Sequence, residues 1–226
     1  MSNKSSAPVA RKAGSRAKPT KTAAPTAEQL AARLKAAHLE NRRLRAQLAA
    51  AQARLDEMRA SADTDFLLDI FNRRGFEREL ARSIAYIKRY HASGALIMLD
   101  VDQLKPINDR FGHAAGDEVL KAVVGVLLHH VRASDIVARL GGDEFVLLLW
   151  NLTEADACAK AEALEAAVDD LQLVFGGEPA STGISAGVAP LGPGTDARDA
   201  LAAADRAMYA RKAIRHQQRM AAAIRR

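Results

Sequence analysis

Apolar positions along this chain change period twice, and each change marks an element boundary. From Leu30 to Met58 they recur at alternating intervals of four and three residues. Leu34, Asn41, Leu48 and Leu55 fall at a, and Leu30, Ala37, Leu44, Ala51 and Met58 at d. No proline or glycine interrupts residues 27–74. A helix packed on a core shows a wider apolar stripe, whereas a narrow seam sustained over four heptads predicts a coiled coil. Asn41 at an a position costs stability but favours a parallel, two-stranded register. Glu40 at g can face Arg45 at e of a partner, while Arg54 and Arg59 would face each other unfavourably.

Beyond residue 62 the pattern becomes an alternation of helices and strands. Asn72 is placed to cap a helix that carries Phe76, Leu80, Ile84 and Ile87 on one face and ends before Gly94. Ala95–Val101 is a short apolar run ending in acids, which predicts a buried strand. A helix follows from Gly116-Asp117, with Val119, Leu120, Val123, Leu127 and Val131 inward. Asp135–Leu140 and Phe145–Trp150 read as two strands of a hairpin, with the Gly141-Gly142 pair supplying the turn. A helix over 153–171, a strand near Ser181–Val188 and a helix over 196–213 complete the pattern. Strands mixed with helices around a central hairpin predict an α/β (α+β) domain, its mixed, mainly antiparallel sheet covered by helices.

Composition narrows the class. The chain has 226 residues, 49% of them hydrophobic, which suits one domain of ordinary size with an accessory segment. Residues 1–26 are Ser, Ala, Lys, Arg and Pro with almost no bulky apolar side chain, and are expected to be a disordered basic tail. The net charge of +6 is unevenly spread: residues 1–27 carry six basic and no acidic residues, and residues 28–61 seven basic and four acidic. The remainder is slightly acidic, so a nucleic-acid-binding surface over the whole domain is not supported. At most the tail is drawn weakly to anionic membrane or nucleic acid. Residues 216–226 read as a second short basic tail. The single cysteine, Cys158, excludes an internal disulfide and a cysteine metal cage, and a reducing cytoplasm fits. No apolar run approaches the roughly 20 residues that span a bilayer, and no secretory signal is expected.

Two acidic clusters carry the candidate chemistry. Asp100-Val101-Asp102 ends the first buried strand, and Asp143-Glu144 follows the glycine pair. Oxygen donors of this kind suit Mg²⁺, which takes one or two carboxylates together with substrate phosphates. Two such ions can clamp the attacking and leaving oxygens of a phosphoryl transfer. Lys105 and Lys212 can neutralise a polyphosphate, and Asn108 with Asp117 offers an amide and a carboxylate to a purine edge. Taken singly, each strand-end acid is more often a solvated loop residue than a ligand.

Gly141-Gly142-Asp143-Glu144-Phe145 resembles the name-giving motif of the GGDEF-domain diguanylate cyclases. The resemblance extends through 65–74 (DFLLDIFNRR), 100–117 (DVDQLKPINDRFGHAAGD), 181–188 (STGISAGV) and 204–212 (ADRAMYARK), covering about 62–215 in order. It implies a nucleotidyl-cyclase-like sheet that binds one GTP. Two such domains face each other to make cyclic di-GMP and two pyrophosphates. By this resemblance Asp100, the Val101 carbonyl, Asp143 and Glu144 hold Mg²⁺, with Mn²⁺ an alternative, and Asp143 or Glu144 helps deprotonate the 3′-hydroxyl. Asn108 and Asp117 read guanine. Gly141 and Gly142 line the phosphates, with Lys105 and Lys212 on their charge. The coiled coil over 27–61 would tether two catalytic domains, 62–215, as a homodimer.

Arg132-Ala133-Ser134-Asp135 is an RxxD motif separated from Gly141 by five residues, which resembles the placement of the family's inhibitory product site. A plain surface ion pair is the alternative, and the offset favours the product site. The family often has a second Arg on a nearby helix, where helix 153–171 offers only Lys160. Leu104 stands where the family usually has Phe, Leu68 where it has Thr, and Arg215-His216 where a Gly-Arg pair is common. His113 matches a motif histidine and reads as structural. A catalytically silent nucleotide sensor and a coiled-coil interaction protein are the alternatives. A silent sensor usually loses an acid of the hairpin, and both are present; an interaction protein would tolerate loss of Asn108, Asp117 and Lys105, all of which are also present.

Overall fold

The computed structural model describes residues 26–224, so the tail expected over 1–26 lies, Thr26 apart, outside the described residues. The side chains of Leu55, Met58 and Arg59 in the seam also lie outside them. The chain divides into two compact units, one ending at Arg54 and one comprising Leu55–Arg226. A single helix, α1 (Ala27–Asp63), covers the heptad segment. Its seam side chains Leu30, Leu34, Leu44 and Leu48 are 53–60% exposed in the single chain.

In the second unit β1 (Phe71–Asn72) leads into α2 (Arg73–Tyr90), β2 (Gly94–Asp102), α3 (Leu104–Phe111) and α4 (His113–His130). The hairpin β3 (Ile136–Gly141) and β4 (Glu144–Trp150) follows, then α5 (Glu154–Asp169), a small hairpin β5 (Leu173–Phe175) and β6 (Glu178–Ala180), β7 (Gly183–Leu191) and α6 (Ala197–Ile224). The main sheet runs β1-β3-β4-β2-β7. Only β1 pairs in parallel; the other neighbours are antiparallel. The expected mixed, mainly antiparallel α+β architecture is therefore present.

Strand alternation sends β2 and β4 side chains into two separate cores. Ile97, Leu99, Val101, Phe145, Leu147 and Leu149 pack beneath α4 and α5 with Val119, Val123, Leu127, Leu164 and Val168. Leu96, Met98, Val146 and Leu148 pack on the opposite face against Phe76, Leu80, Ile84 and Ile87 of α2 and Ala200, Ala204 and Met208 of α6. Asn72 caps α2 as expected, its side chain accepting from the Gly75 amide. Asn72 Nδ2 donates to the Ala62 and Thr64 carbonyls at 2.9 and 3.0 Å, joining the end of α1 to the start of α2. Asp63, the last residue of α1, is buried and paired with Arg74 and Arg78.

Three features differ from the sequence reading. The helix α3 lies inside the segment read only as a motif, its start marked by Gln103 in the left-handed region at φ 67°. The β5–β6 hairpin has strands of only three residues, below the length at which alternation becomes visible. The last helix continues to Ile224, well past 213, so residues 216–224 of the expected tail are helical. Arg215 and Arg219 account for that extension, since both form ion pairs with acids of the domain. Among the described residues, no helix is long and apolar enough to cross a membrane.

Candidate active site

The acids meet at one end of the sheet because β2 and β4 pair in a register that sets Asp100 opposite Glu144. Both strands are buried on two faces, so slippage by one residue would exchange their two cores. By alternation both acids leave the sheet on the α2–α6 side. The backbone adds a further tie, with Val101 N–H donating to the Asp143 carbonyl at 3.0 Å.

The turn differs in detail from the Gly-Gly turn expected. Gly141 pairs with Glu144 and still belongs to β3, so the two loop residues are Gly142 and Asp143. Gly142 takes φ 49°, a left-handed conformation suited to glycine. The ladder register shifts between Arg139 and Gly141, leaving Leu140 as the extra residue of a bulge. Arg139 clamps this turn: Nε and Nη2 donate to the Gly142 carbonyl at 3.0 and 2.7 Å, and Nη1 donates to Asp65 Oδ2 at 3.1 Å. Asp65 Oδ1 in turn accepts from the Leu67 and Leu68 amides. Arg73 donates to the Leu140 carbonyl at 3.0 Å and lies 3.9 Å from Glu144. Sequence reasoning missed Arg139, Arg73 and Asp65 as parts of the site. The available signal was an arginine inside an otherwise apolar strand, two residues before the glycine pair.

On the α6 side, Lys212 Nζ donates to Asp100 Oδ1 at 2.6 Å. Burial pushes the Asp100 carboxyl up, opposed by the hydrogen bond and charge of Lys212; Asp143 and Asp102 add repulsion. Burial works most strongly against the Lys212 charge, but the hydrogen bond to Asp100 and the charges of Asp100, Asp143 and Asp102 together outweigh it and hold the ammonium protonated more firmly than usual. Among the described residues no three acidic, His or Cys side chains already converge as a metal cluster. The donor set nevertheless fits Mg²⁺: a largely buried carboxylate at Asp100, the adjoining Val101 backbone, and Asp143 close enough to act on the Asp100 charge.

On the other side of the turn, a cavity of about 300 Å³ is lined by Leu104, Lys105, Asn108, His113, Gly116, Asp117, Leu120, Arg139, Gly142 and Asp143. It gathers five of the expected substrate residues: Leu104, Lys105, Asn108, Asp117 and Gly142. Gly141, Asp100, Glu144 and Lys212 lie outside its lining. His113, read as structural, is on its wall. Among the described residues Asn108 Oδ1 is buried without a donor, an arrangement that favours a ligand N–H. Gly116 makes that placement feasible: a Cβ there would lie 1.9 Å from Asn108 Oδ1.

Arg132 and Asp135 stand at the opposite end of β3, roughly 17 Å from the turn at 3.3 Å per residue. Among the described residues no ion pair joins them. Asp135 instead accepts from the Arg132 and Trp150 amides, at 2.9 and 3.2 Å. The exposed Arg132 borders two hollows. One, of about 500 Å³, lies beside Asp69, Ile70 and Phe71; the other, of about 330 Å³, includes His130, Trp150 and Lys160.

A family model described as the GGDEF domain of diguanylate cyclases matches residues 62–218, and the chain belongs to that family. It is 36% identical over 159 residues to the probable diguanylate cyclase DgcE of Escherichia coli, covering 70% of this chain and 14% of that protein. To the diguanylate cyclase DgcP of Pseudomonas aeruginosa it is 38% identical over 161 residues, covering 70% of this chain and 24% of that protein. The chain thus spans less than a quarter of either relative. Among solved structures it resembles the coiled coil and GGDEF domain of DgcB from Caulobacter crescentus in complex with c-di-GMP. That match has a TM-score of 0.66 at 29% identity and covers 81% of this chain and 94% of that one.

The charge pairing at the turn has a measurable consequence. A ¹³C NMR titration should place the Asp100 carboxyl midpoint above the ordinary 3.8, because burial disfavours its ion. In Lys212→Met the midpoint should move further up, since the hydrogen bond that lowers it is gone while burial remains. A downward shift in that variant would contradict the pairing.

Proposed function

We propose that this chain is a diguanylate cyclase that condenses two GTP molecules into cyclic di-GMP and two pyrophosphates as a coiled-coil homodimer. The observation that carries the reading is the register placing Asp100 opposite Glu144, beside a cavity holding the unpartnered Asn108 amide oxygen. That oxygen and the Asp117 carboxylate accept from the N–H edge of guanine. Leu104 and Leu120 supply apolar wall, and Lys105 lies against the phosphates. Lys212, already paired with Asp100, is the second cation for the triphosphate. Gly141 and Gly142 let phosphate oxygens approach the backbone. Asp100, the Val101 carbonyl, Asp143 and Glu144 would hold Mg²⁺, or Mn²⁺ in its place. The bound ion supplies charge neutralisation at the α-phosphate and at the departing pyrophosphate.

Each 3′-hydroxyl oxygen forms a bond to the other nucleotide's α-phosphorus as the α–β bridging bond breaks and pyrophosphate leaves. The hydroxyl proton passes to an acid of the hairpin, Asp143 or Glu144. Arg139 keeps those acids in place by holding the turn carbonyl.

One domain holds one GTP, so a second must be presented by another copy. The exposed leucine seam of α1 supports a parallel pairing that raises the local concentration of the second domain to the order of millimolar. Product inhibition at Arg132 and Asp135 also belongs to this reading. Lys160 lines the same hollow as both and supplies the extra cation where the family often has an arginine. Asp135 already holds the bend, which leaves the Arg132 fork free of it for a phosphate or guanine edge.

Incubating the protein with GTP and Mg²⁺ and separating the nucleotides tests the reaction. Glu144→Ala should lower cyclic di-GMP formation by at least about a hundredfold with the fold retained; wild-type turnover in that variant would sink the assignment. Removing residues 1–61 should give a folded domain whose specific activity rises steeply with its concentration. A full-length chain that is monomeric by light scattering and fully active would refute the tether. Progress curves should flatten as product accumulates, and Arg132→Ala should abolish the flattening at an unchanged initial rate. Equal sensitivity to added cyclic di-GMP in both proteins would remove Arg132 from the inhibitory site.

A further inference from the structure

Lys212 is one of four cations on the last part of α6. Arg211, Arg215 and Arg219 are spaced four residues apart, which sets their guanidinium groups along one stripe. They meet Asp102 at the end of β2 and Glu165 and Asp169 on α5. Arg215 is the hub: Nε lies 3.3 Å from Asp102 Oδ2, Nη1 3.5 Å from Glu165 Oε2 and Nη2 2.6 Å from Asp169 Oδ1. Arg211 grips both Glu165 oxygens, and Arg219 Nη2 sits 3.1 Å from Asp102 Oδ2. Ser185 Oγ donates to the other Asp102 oxygen at 2.9 Å. Asp102, Glu165 and Arg215 are each less than a tenth exposed.

Asp102 follows Asp100 by two residues, so both carboxylates leave β2 on the α6 side. The two buried anions therefore compete for the cations of one helix, and Asp102 is close enough to act on the Lys212 charge. A buried carboxylate left unpaired is strongly unfavourable, so it draws in whatever cation can reach it. Arginine cannot escape that role by losing its proton. We propose that Arg215 is a positioning residue: together with Arg219 it neutralises Asp102 and so reserves Lys212 for Asp100 and for the triphosphate of the bound nucleotide. The inference rests on the GTP-binding reading above. It also gives a role to one of the chain's departures from its family, Arg215 at a position where glycine is common.

Binding of a non-hydrolysable GTP analogue with Mg²⁺ to the full chain, followed by calorimetry, tests it without turnover. Lys212→Met sets the scale, with an affinity loss of about tenfold for one charge-assisted phosphate contact. Arg215→Gln joined to Arg219→Gln strips both arginines from Asp102 and should cost the same about tenfold, and less than about twofold more when added to Lys212→Met, because all act through one contact. Joining Asp102→Asn to that double variant removes the competing anion and should restore affinity to within about threefold of wild type. Arg215→Lys with Arg219→Lys keeps the neutralising charge and should do the same, which preserves the test if the glutamine double variant unfolds. A further tenfold loss on adding the two glutamines to Lys212→Met would overturn the proposal. So would unimpaired binding in the folded glutamine double variant, or no recovery with Asp102→Asn. A wild-type chain that binds no analogue would instead overturn the nucleotide reading itself.

Discussion

The register between β2 and β4 is the constraint on which the site depends. Asp100 ends one buried strand and Glu144 begins its neighbour, and they face each other only because seven successive pairs run from Gly94–Trp150 to Asp100–Glu144. Every apolar side chain along those strands resists a slip, because moving by one residue would send Leu99 and Phe145 to the wrong face. The clustering of carboxylates, unfavourable in itself, is therefore enforced by the hydrophobic packing of two cores. Burial then raises the Asp100 pKa, and the Lys212 hydrogen bond offsets part of that cost.

The turn joining β3 to β4 has few apolar contacts of its own, and polar bonds hold it instead. Arg139 binds its Gly142 carbonyl, and the bulge at Leu140 leaves a carbonyl that Arg73 takes. Both arginines lead back to the segment between α1 and α2. Arg139 continues to Asp65, while Arg73 is flanked by Asn72, bonded to the Ala62 and Thr64 carbonyls, and by Arg74, paired with Asp63. Within the second unit, the last residues of α1 and the acidic turn are thus connected by hydrogen bonds over a short path.

Elements with strong periodicity and flanking glycine or asparagine were legible: α2 with its Asn72 cap, the buried β2, and the β3–β4 hairpin. The acids, Asn108, Asp117 and Lys105 were legible through the family resemblance, since spacing alone gave no reason for the two acidic clusters to meet. What escaped was set by tertiary contact. The helix α3 has only eight residues, and β5 and β6 three each, too few for a period to emerge. The extension of α6 was read as a basic tail over 216–226 because nothing local in the sequence shows that Arg215 and Arg219 pair with acids. Their partners Asp102 and Asp169 lie far away in sequence. Asp135 illustrates the same limit: its oxygens take the Arg132 and Trp150 amides, a role that the spelling RxxD cannot reveal.

The geometry also bears on the proposed tether. Asp143 stands between the cavity that holds Asn108 and the Asp100–Lys212 pair: it lines the first and repels the Asp100 charge of the second. Under the proposed reading, a single domain thereby grips one nucleotide at its base and at its phosphates and exposes the α-phosphate at the end of the sheet. The attacking hydroxyl must then arrive from outside the domain. A free second domain would have to be caught in one orientation from bulk solution, at a large entropic cost. Under the same proposed reading, a parallel pairing of α1 would remove most of that cost by keeping the second domain at hand.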